Sequence, residues 1–434
     1  MNSIRVSVIA NAGLGGTEKA ATIYATKLAA RGYQVEYLTS DGPRAKFLAS
    51  HDVNVLDVGD SDVDLYNHIK RNRPHLIHQH VPGYPTCNRL YKALGRLAGD
   101  QRPKIIETNV FGRLEDPEGE QFVDFRLFIS MASAAQAFRR ARIKNIERLL
   151  DRHTVVYYPV SAPSKIAEKE RTQLRRELGV SGEEVLAVRV GRPSHKWAAW
   201  ECEAYAVAKK TVPKLRLFLM EPPYTLKSKI DSGQFGTGMI VRKETSDFAW
   251  LEKLYASADL MIHASDWGES FGYTIAEGMA AELPVITRST PWCDNAQVEL
   301  VRNNETGFVC WSIPEMARRL VELSSNETIR RKMGAAAQQR ILSMANPEKE
   351  TDILEAAISF CLDNKISSMV ADRNAHLLEF INRFAALERD TSELSSQHPI
   401  DFAGASLYSY YRGFRADVRA ILNYCQRRFK IRVR

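Results

Sequence analysis

The chain has 434 residues, 44% apolar and 26% charged, with a formal charge of +8. That length exceeds one typical domain, the composition is that of a soluble globular protein, and no run of about 18 uncharged apolar residues is present to span a bilayer. The charge is local: Tyr411–Arg434 holds eight basic residues against Asp417, a net +7 in 24 positions, so the body is near neutral and no nucleic-acid partner is expected.

In chain order, MNSIRVSVIANAG enters an apolar strand directly, without the basic-then-apolar layout of a signal peptide. Short apolar runs predict strands at Ile4–Ala10, Gln34–Leu38, Asn54–Val58, Leu76–Gln79, Lys104–Glu107 and Leu127–Ser130. Amphipathic helical segments lie between them, the clearest at Glu18–Arg31. The alternation breaks at YYPVSAP, Tyr157–Pro163, where two prolines mark a connection. A second series follows, with strands at Val185–Val190, Arg216–Leu219, Met239–Val241, Leu260–His263 and Pro284–Thr287. Its helices are expected at Ser164–Leu178, Trp197–Val212, Ala249–Ala256, Ile275–Ala281 and Pro314–Leu323.

This α/β alternation predicts two Rossmann-like domains facing a cleft, over 1–162 and 163–345. Beyond them the pattern is helical: Thr351–Leu362 within 346–364, then Val370–Glu388 opening a basic extension over 365–434. Leu407, Tyr411, Phe414, Val418, Ile421, Cys425 and Phe429 recur there at spacings of three and four, with arginines on other faces. Three roles fit such an extension: a helical appendix on the body, a homodimer contact, or attachment to an anionic membrane through Tyr408, Tyr410, Tyr411 and Phe414. The six cysteines (Cys87, Cys202, Cys293, Cys310, Cys361 and Cys425) are scattered and without CxxC, which reads as free thiols of a reducing cytoplasm. Localisation is therefore expected to be cytoplasmic, with peripheral attachment at the inner membrane face where the tail acts.

Three stretches could carry chemistry. NAGLGGTEKAA, Asn11–Ala21, follows the first strand and opens a helix; Gly13, Gly15 and Gly16 allow close backbone approach to a phosphate or sugar, or simply a turn. Its spacing is not GxGxxG, which counts against a nucleotide-sugar oxidoreductase. VGRPSHKW places Arg192 and Lys196 where the second domain's first strand ends, as a diphosphate clamp or a solvated basic loop; His195 between them is incidental. HASDWGESFGYTIAEGMAAELPVIT sets Glu269 in a loop, Gly272 at a turn and Glu277 in the following helix, whose N-terminal amides can face an anion while the carboxylates accept from sugar hydroxyls. His78 and His80 share one side of a strand end, and no further ligands at suitable spacing make a zinc site.

Together, the GGTE loop (Gly15–Glu18), the GR…K element (Gly191, Arg192, Lys196) and the E-x(7)-E motif from Glu269 to Glu277, followed by PVIT, resemble the retaining GT-B glycosyltransferases of the family 4 type. That large family also contains sucrose-phosphate synthases and many bacterial cell-surface glycan enzymes, and the resemblance runs from about residue 5 to 360. It implies transfer of a sugar from a nucleotide diphosphate sugar, of UDP or GDP type, to a hydroxyl acceptor, with retention at the anomeric carbon and without a metal or other cofactor. A glycan or lipid-linked acceptor, in cell-surface polysaccharide or glycolipid synthesis, is the expected context.

By the same resemblance Arg192 and Lys196 hold the diphosphate and Glu269 the donor sugar. Gly15 and Gly16 line the donor site, the Ser270–Phe271–Gly272 backbone approaches sugar and phosphate, and Glu277 takes the ribose hydroxyls. The base is expected to fall near Ile240–Lys243, against Val241. Family members commonly carry a histidine where this chain has Asn109, which can hydrogen-bond a donor hydroxyl but carries no charge. The usual glycine before PVI is Glu282, and TPWCDNAQ, Thr290–Gln297, replaces a glycine pair. A catalytically weak nucleotide-sugar-binding partner protein of the same fold is the alternative reading.

Overall fold

The computed structural model describes residues 4–39, 42–81, 89–114, 117–140, 150–192, 196–243, 245, 247–290, 293–363, 365 and 367–389. His195, Cys87, Pro291, Trp292 and the tail that includes Tyr408–Cys425 lie outside these residues.

Two parallel sheets organise the chain. The first contains β1 (Arg5–Ile9), β2 (Gln34–Leu38), β3 (Asn54–Leu56), β4 (Leu76–Val81), β5 (Lys104–Asn109), β6 (Phe125–Phe128) and β7 (His153–Val155). Its spatial order is β3-β2-β1-β4-β5-β6-β7. The second contains β8 (Val185–Arg189), β9 (Leu215–Met220), β10 (Met239–Arg242), β11 (Leu260–His263), β12 (Val285–Arg288) and β13 (Gly307–Cys310), in the order β10-β9-β8-β11-β12-β13. Among the described residues the paired strands within each sheet all run parallel. Helices cover both faces, which is why strands such as LRLFLM are nearly continuous apolar runs. Strand order reverses between β1 and β4 in one sheet and between β8 and β11 in the other. Such reversals open a crevice beyond the carboxyl ends of the strands, where α/β sheets take ligands.

The helix Gly16–Ala30 follows β1 and buries Ala20, Ala21, Tyr24, Ala25 and Leu28. Its alanines let it lie close to the sheet. Two strands go beyond the sequence reading, β7 and β13, as does the long helix Glu327–Met344. That helix buries only Met333, Gly334, Ala337 and Ile341, so its apolar stripe is thin. Gly334 is needed there, since a Cβ would stand 2.0 Å from the carbonyl oxygen of Glu282. Glu282 itself adopts φ +61°, a left-handed conformation that glycine takes without strain. The glycine usual before PVI thus has a backbone reason, and this chain carries the strain instead.

Residues 156–167 connect the domains and are gripped from several sides. Tyr24 donates to the Tyr157 carbonyl, Tyr158 to Thr17 Oγ1 at 3.0 Å, Tyr273 to the Pro159 carbonyl, and Val160 N–H to Ala345 O at 2.9 Å. The helix Pro347–Asp363 packs on the helix Gly16–Ala30 and on β5, fastened by Arg31 to Glu348, Asp352 and Glu355. The helix Ser368–Arg389 then packs on β7, its Arg373 meeting Glu350 at 2.7 Å with both side chains buried. Its first turns are therefore an appendix on the body. Among the described residues no helix is long and apolar enough to cross a membrane. Cys202, Cys310 and Cys361 are buried free thiols, and Cys293 is buried as well.

Burial pushes the Glu350 carboxyl above its ordinary range, and Arg373, with the Tyr157 N–H, opposes that shift. Removing the guanidinium strands a carboxylate in the interior. Arg373→Ala is expected to lower stability by about 3–5 kcal/mol, read as a smaller denaturant midpoint. A loss under about 1 kcal/mol would show that the helix Ser368–Arg389 does not hold the body together.

Candidate active site

The reversal between β8 and β11 gathers the charged residues. The β8 strand ends at Arg189, and the segment beyond it carries Arg192 and Lys196. The β11 strand ends at His263, and its loop carries Glu269. Lys196 Nζ lies 3.0 Å from Glu269 Oε2, and His263 Nε2 lies 3.5 Å from the other carboxylate oxygen. Burial disfavours the Lys196 ammonium, but the charge and hydrogen bond of Glu269, together with Asp294, outweigh it and raise its pKa. Burial, with Arg189 and Lys196 nearby, pushes His263 well below its ordinary value, so that contact joins a neutral imidazole to a carboxylate.

The loop bearing Glu269 is held by the segment after β12. Glu269 N–H donates to Gln297 Oε1 at 3.0 Å, and Ala296 N–H to the Glu269 carbonyl at 2.8 Å. Gly268 has φ +63°, and a Cβ there would fall 1.6 Å from the Asp294 carbonyl oxygen, so the two loops meet backbone to backbone. Ser270 Oγ donates to Asp294 Oδ2 at 2.8 Å, while its carbonyl accepts from Ser130 of the first domain at 2.7 Å. Phe271 is buried against Tyr158 and Tyr273. Gly272, at φ +91°, caps the helix Tyr273–Ala280 that carries Glu277. Beneath the site, Arg189 Nε donates to Glu201 at 2.9 Å, and the same Glu201 oxygen accepts the Ala264 N–H at 2.7 Å.

The first domain approaches through its glycine loop. A Cβ on Gly15 would lie 2.0 Å from Glu18 Oε2 and 2.5 Å from Arg192 Nη2, so the loop backbone lies against the ends of those two side chains. Gly16 rests against Tyr273, where a Cβ would be 3.1 Å from the ring. One turn on, Lys19 Nζ meets Glu277 Oε1 at 2.5 Å and lies 4.9 Å from the Tyr273 ring centroid. Tyr255 donates to the other Glu277 oxygen at 3.2 Å. Arg44 donates to the Gly13 carbonyl at 2.9 Å and stacks on Phe248 of the second domain, 4.5 Å from its centroid.

Gly15, Gly16, Arg192, Lys196, Glu269, Ser270, Phe271, Gly272 and Glu277 are thus brought to one cleft. Two further expected residues sit on other strands. Asn109 ends β5 but is buried, its amide donating to Glu107 and to the Arg113 carbonyl at 2.6 Å and accepting the Arg113 N–H at 3.0 Å. It shapes the turn after β5. Val241 lies in the edge strand β10, two strands from β8. His78 and His80 are side by side, ring centroids 4.4 Å apart. Among the described residues no group of three or more His, Cys, Asp or Glu is placed to hold a metal ion.

Lys19 and His263 escaped the sequence reading. Lys19 acts across the interface, 258 positions from Glu277, and no local pattern marks it. His263 stood at a strand's carboxyl end, a position that could have flagged it.

Residues 171–340 match the family model of glycosyl transferases group 1. No curated protein sequence matches the chain. Among solved structures, a glycosyltransferase from Rickettsia africae ESF-5 is similar at a TM-score of 0.68 and 16% identity, over 84% of this chain and 100% of that one. HepE from Anabaena, in complex with UDP-glucose, is similar at 0.65 and 18% identity, over 82% and 99%. The sucrose-phosphate synthase of Thermosynechococcus elongatus is similar at 0.63 and 15% identity, over 83% and 100%. These likenesses carry the fold, and the sequence match covers the domain that holds Arg192, Lys196, Glu269 and Glu277: the chain has a two-domain GT-B architecture in which residues 171–340 are similar to glycosyl transferases group 1.

Proposed function

We propose that the protein is a retaining glycosyltransferase that moves a sugar from a nucleotide diphosphate sugar to a hydroxyl acceptor, in cell-surface polysaccharide or glycolipid synthesis. One observation carries this reading: Lys196 and Glu269 pair at the switch point of the second domain, while Arg192 lies against the glycine loop of the first and Glu277 meets Lys19 one turn beyond it. The Anabaena protein's complex with UDP-glucose supports a donor of this class.

Arg192 and Lys196 would receive the diphosphate, the first through a planar fork and the second as a point charge. As the bond from the anomeric carbon to the phosphate oxygen breaks, negative charge grows on the leaving group. Fixed cations there stabilise that charge more than the ground state, which is what lowers the barrier. The acceptor oxygen bonds to the same face, and its proton passes to the departing phosphate oxygen. Glu269, held by Lys196 and by neutral His263, would accept from donor-sugar hydroxyls, and Glu277 from the ribose.

A thermal-shift panel of UDP, GDP, ADP and CDP tests the donor site. One diphosphate is expected to raise the melting temperature; at a hundredfold its Kd the stabilisation is about 2.7 kcal/mol. No shift with any of the four, and no nucleotide release from their glucose, galactose, mannose or N-acetylglucosamine sugars, would overturn the reading.

A further inference from the structure

The first domain reaches the Glu269 loop by a second route, through the helix Met131–Arg140 that follows β6. Ser130 caps this helix: its hydroxyl oxygen accepts the Ser133 N–H at 3.0 Å and donates to the Ser270 carbonyl at 2.7 Å. The two amides before Ser133 have no acceptor within a helix, and they go to a carboxylate of the second domain. Met131 N–H donates to Glu299 Oε1 at 3.2 Å and Ala132 N–H to Oε2 at 3.0 Å. Tyr157, in the connection between the domains, donates to Oε1 at 2.7 Å. One turn further along the helix, Gln136 donates to the Cys293 carbonyl.

Glu299 is thus a helix cap supplied by the other domain, 167 positions from Ala132. Burial drives its pKa upward, while the Tyr157 hydroxyl, the two amides and Arg340 oppose that shift. The positive end of the helix favours a carboxylate placed there. On its other side Glu299 leads to the candidate site. It stands in the short helix Gln297–Leu300. Just before it, Gln297 Oε1 takes the Glu269 N–H and Ala296 N–H meets the Glu269 carbonyl, so both backbone polar groups of Glu269 are held from this segment. Gln297 is 1% exposed, and its amide donates to the Arg288 carbonyl and to Thr290 Oγ1, which fixes its orientation.

We propose that Glu299 is a positioning residue for sugar transfer: it anchors residues 294–299 to the first domain and thereby sets the Glu269 loop relative to that domain. The inference rests on the transferase reading and adds a residue that acts through the backbone of Glu269. A carboxylate suits the place because two oxygens serve three donors. Glutamine would keep one oxygen and turn an NH₂ group toward a donor. Displacing a reacting group by about 1 Å costs about a hundredfold in rate, so a loosened anchor is felt in turnover. Arg192 and Glu277, which hold the nucleotide in this reading, lie outside the path.

Hydrogen–deuterium exchange on the full chain, with turnover of the nucleotide sugar that the parent accepts, tests this. Glu299→Gln is expected to speed exchange about tenfold at Met131 and Ala132 and also across residues 268–272. The helix Trp200–Thr211 of the same domain should keep the parent's rate. Turnover should fall about 10- to 100-fold, with donor KM and nucleotide Kd within about threefold of the parent. Tyr157→Phe removes one of the three donors and keeps the ring, which covers a glutamine variant that does not fold. It should speed exchange across 268–272 severalfold and lower turnover about threefold. The proposal is overturned if neither variant speeds exchange across 268–272, since faster exchange at Met131 and Ala132 alone marks a helix cap. It is equally overturned if turnover by Glu299→Gln stays within about twofold, or if nucleotide Kd weakens in step with turnover. These failures leave nucleotide binding by the parent intact. A parent that neither binds UDP, GDP, ADP or CDP nor releases them from their sugars sinks the transferase reading itself, and this proposal with it.

Discussion

Lys196→Ala is expected to lower the turnover of sugar transfer by about 10²–10³ while leaving the fold intact. The magnitude follows from removing one fixed donor to a developing oxyanion in a water-poor cleft. Lys196 suits that task because its charge is secure: burial works against it, but Glu269 and Asp294 prevail and move its pKa upward. A raised lysine pKa means that the ion pair's contribution is complete below the unfolded value and is lost only as pH rises through the folded one. The cation, and its grip on Glu269 at 3.0 Å, therefore persist through the neutral range. Nucleotide release at saturating donor and acceptor, measured beside a melting curve, separates chemistry from folding. Glu269→Ala should depress turnover to a similar degree, since it removes both the donor-sugar contact and the partner that positions Lys196. If both variants turn over within about threefold of the parent, the charge assignment at this switch point is wrong.

Much of this architecture is legible in the sequence because parallel sheets leave a strong imprint. Strands buried on both faces must be apolar throughout, so LRLFLM and VLAVR stand out, and the prolines of YYPVSAP interrupt the series. Elements with little apolar content are missed for the same reason. The β7 strand is only HTV at a sheet edge, and the helix Glu327–Met344 sets a thin stripe among Arg, Lys and Gln. The site follows the same division. Arg192, Lys196, Glu269 and Glu277 belong to short motifs within one domain, and their spacing is what draws attention to them. Lys19 reaches Glu277 only after the two domains meet. Asn109 shows the reverse. Its position at the end of β5 is legible, but its commitment to Glu107 and to the Arg113 backbone is a property of the folded turn. Glu282 shows a third kind of information, since only the backbone angle of +61° explains why a glycine belongs there.

Glu277→Gln should weaken binding of the donor's nucleotide diphosphate about 10- to 100-fold, because hydrogen bonds to a charged acceptor are worth about 1.5–3 kcal/mol. The structure adds a competitor to that balance. Glu277 Oε1 is held by Lys19 from the opposite domain and Oε2 by Tyr255. A ribose that takes this carboxylate must displace the lysine. The Lys19–Glu277 pair is partly exposed, with side chains 31% and 18% accessible, so its own stabilisation is about 1 kcal/mol or less. Lys19→Met is therefore expected to tighten nucleotide binding by no more than about fivefold and to flatten its salt dependence. The two substitutions are not independent, because Lys19 acts through Glu277. In the double variant the Lys19 change should have no further effect, and titration calorimetry of the four proteins closes that cycle. Weaker binding by Lys19→Met would mean that the lysine reaches the donor phosphates once the pair opens, so that the residue that meets Glu277 across the domains supplies a third cation to the leaving group.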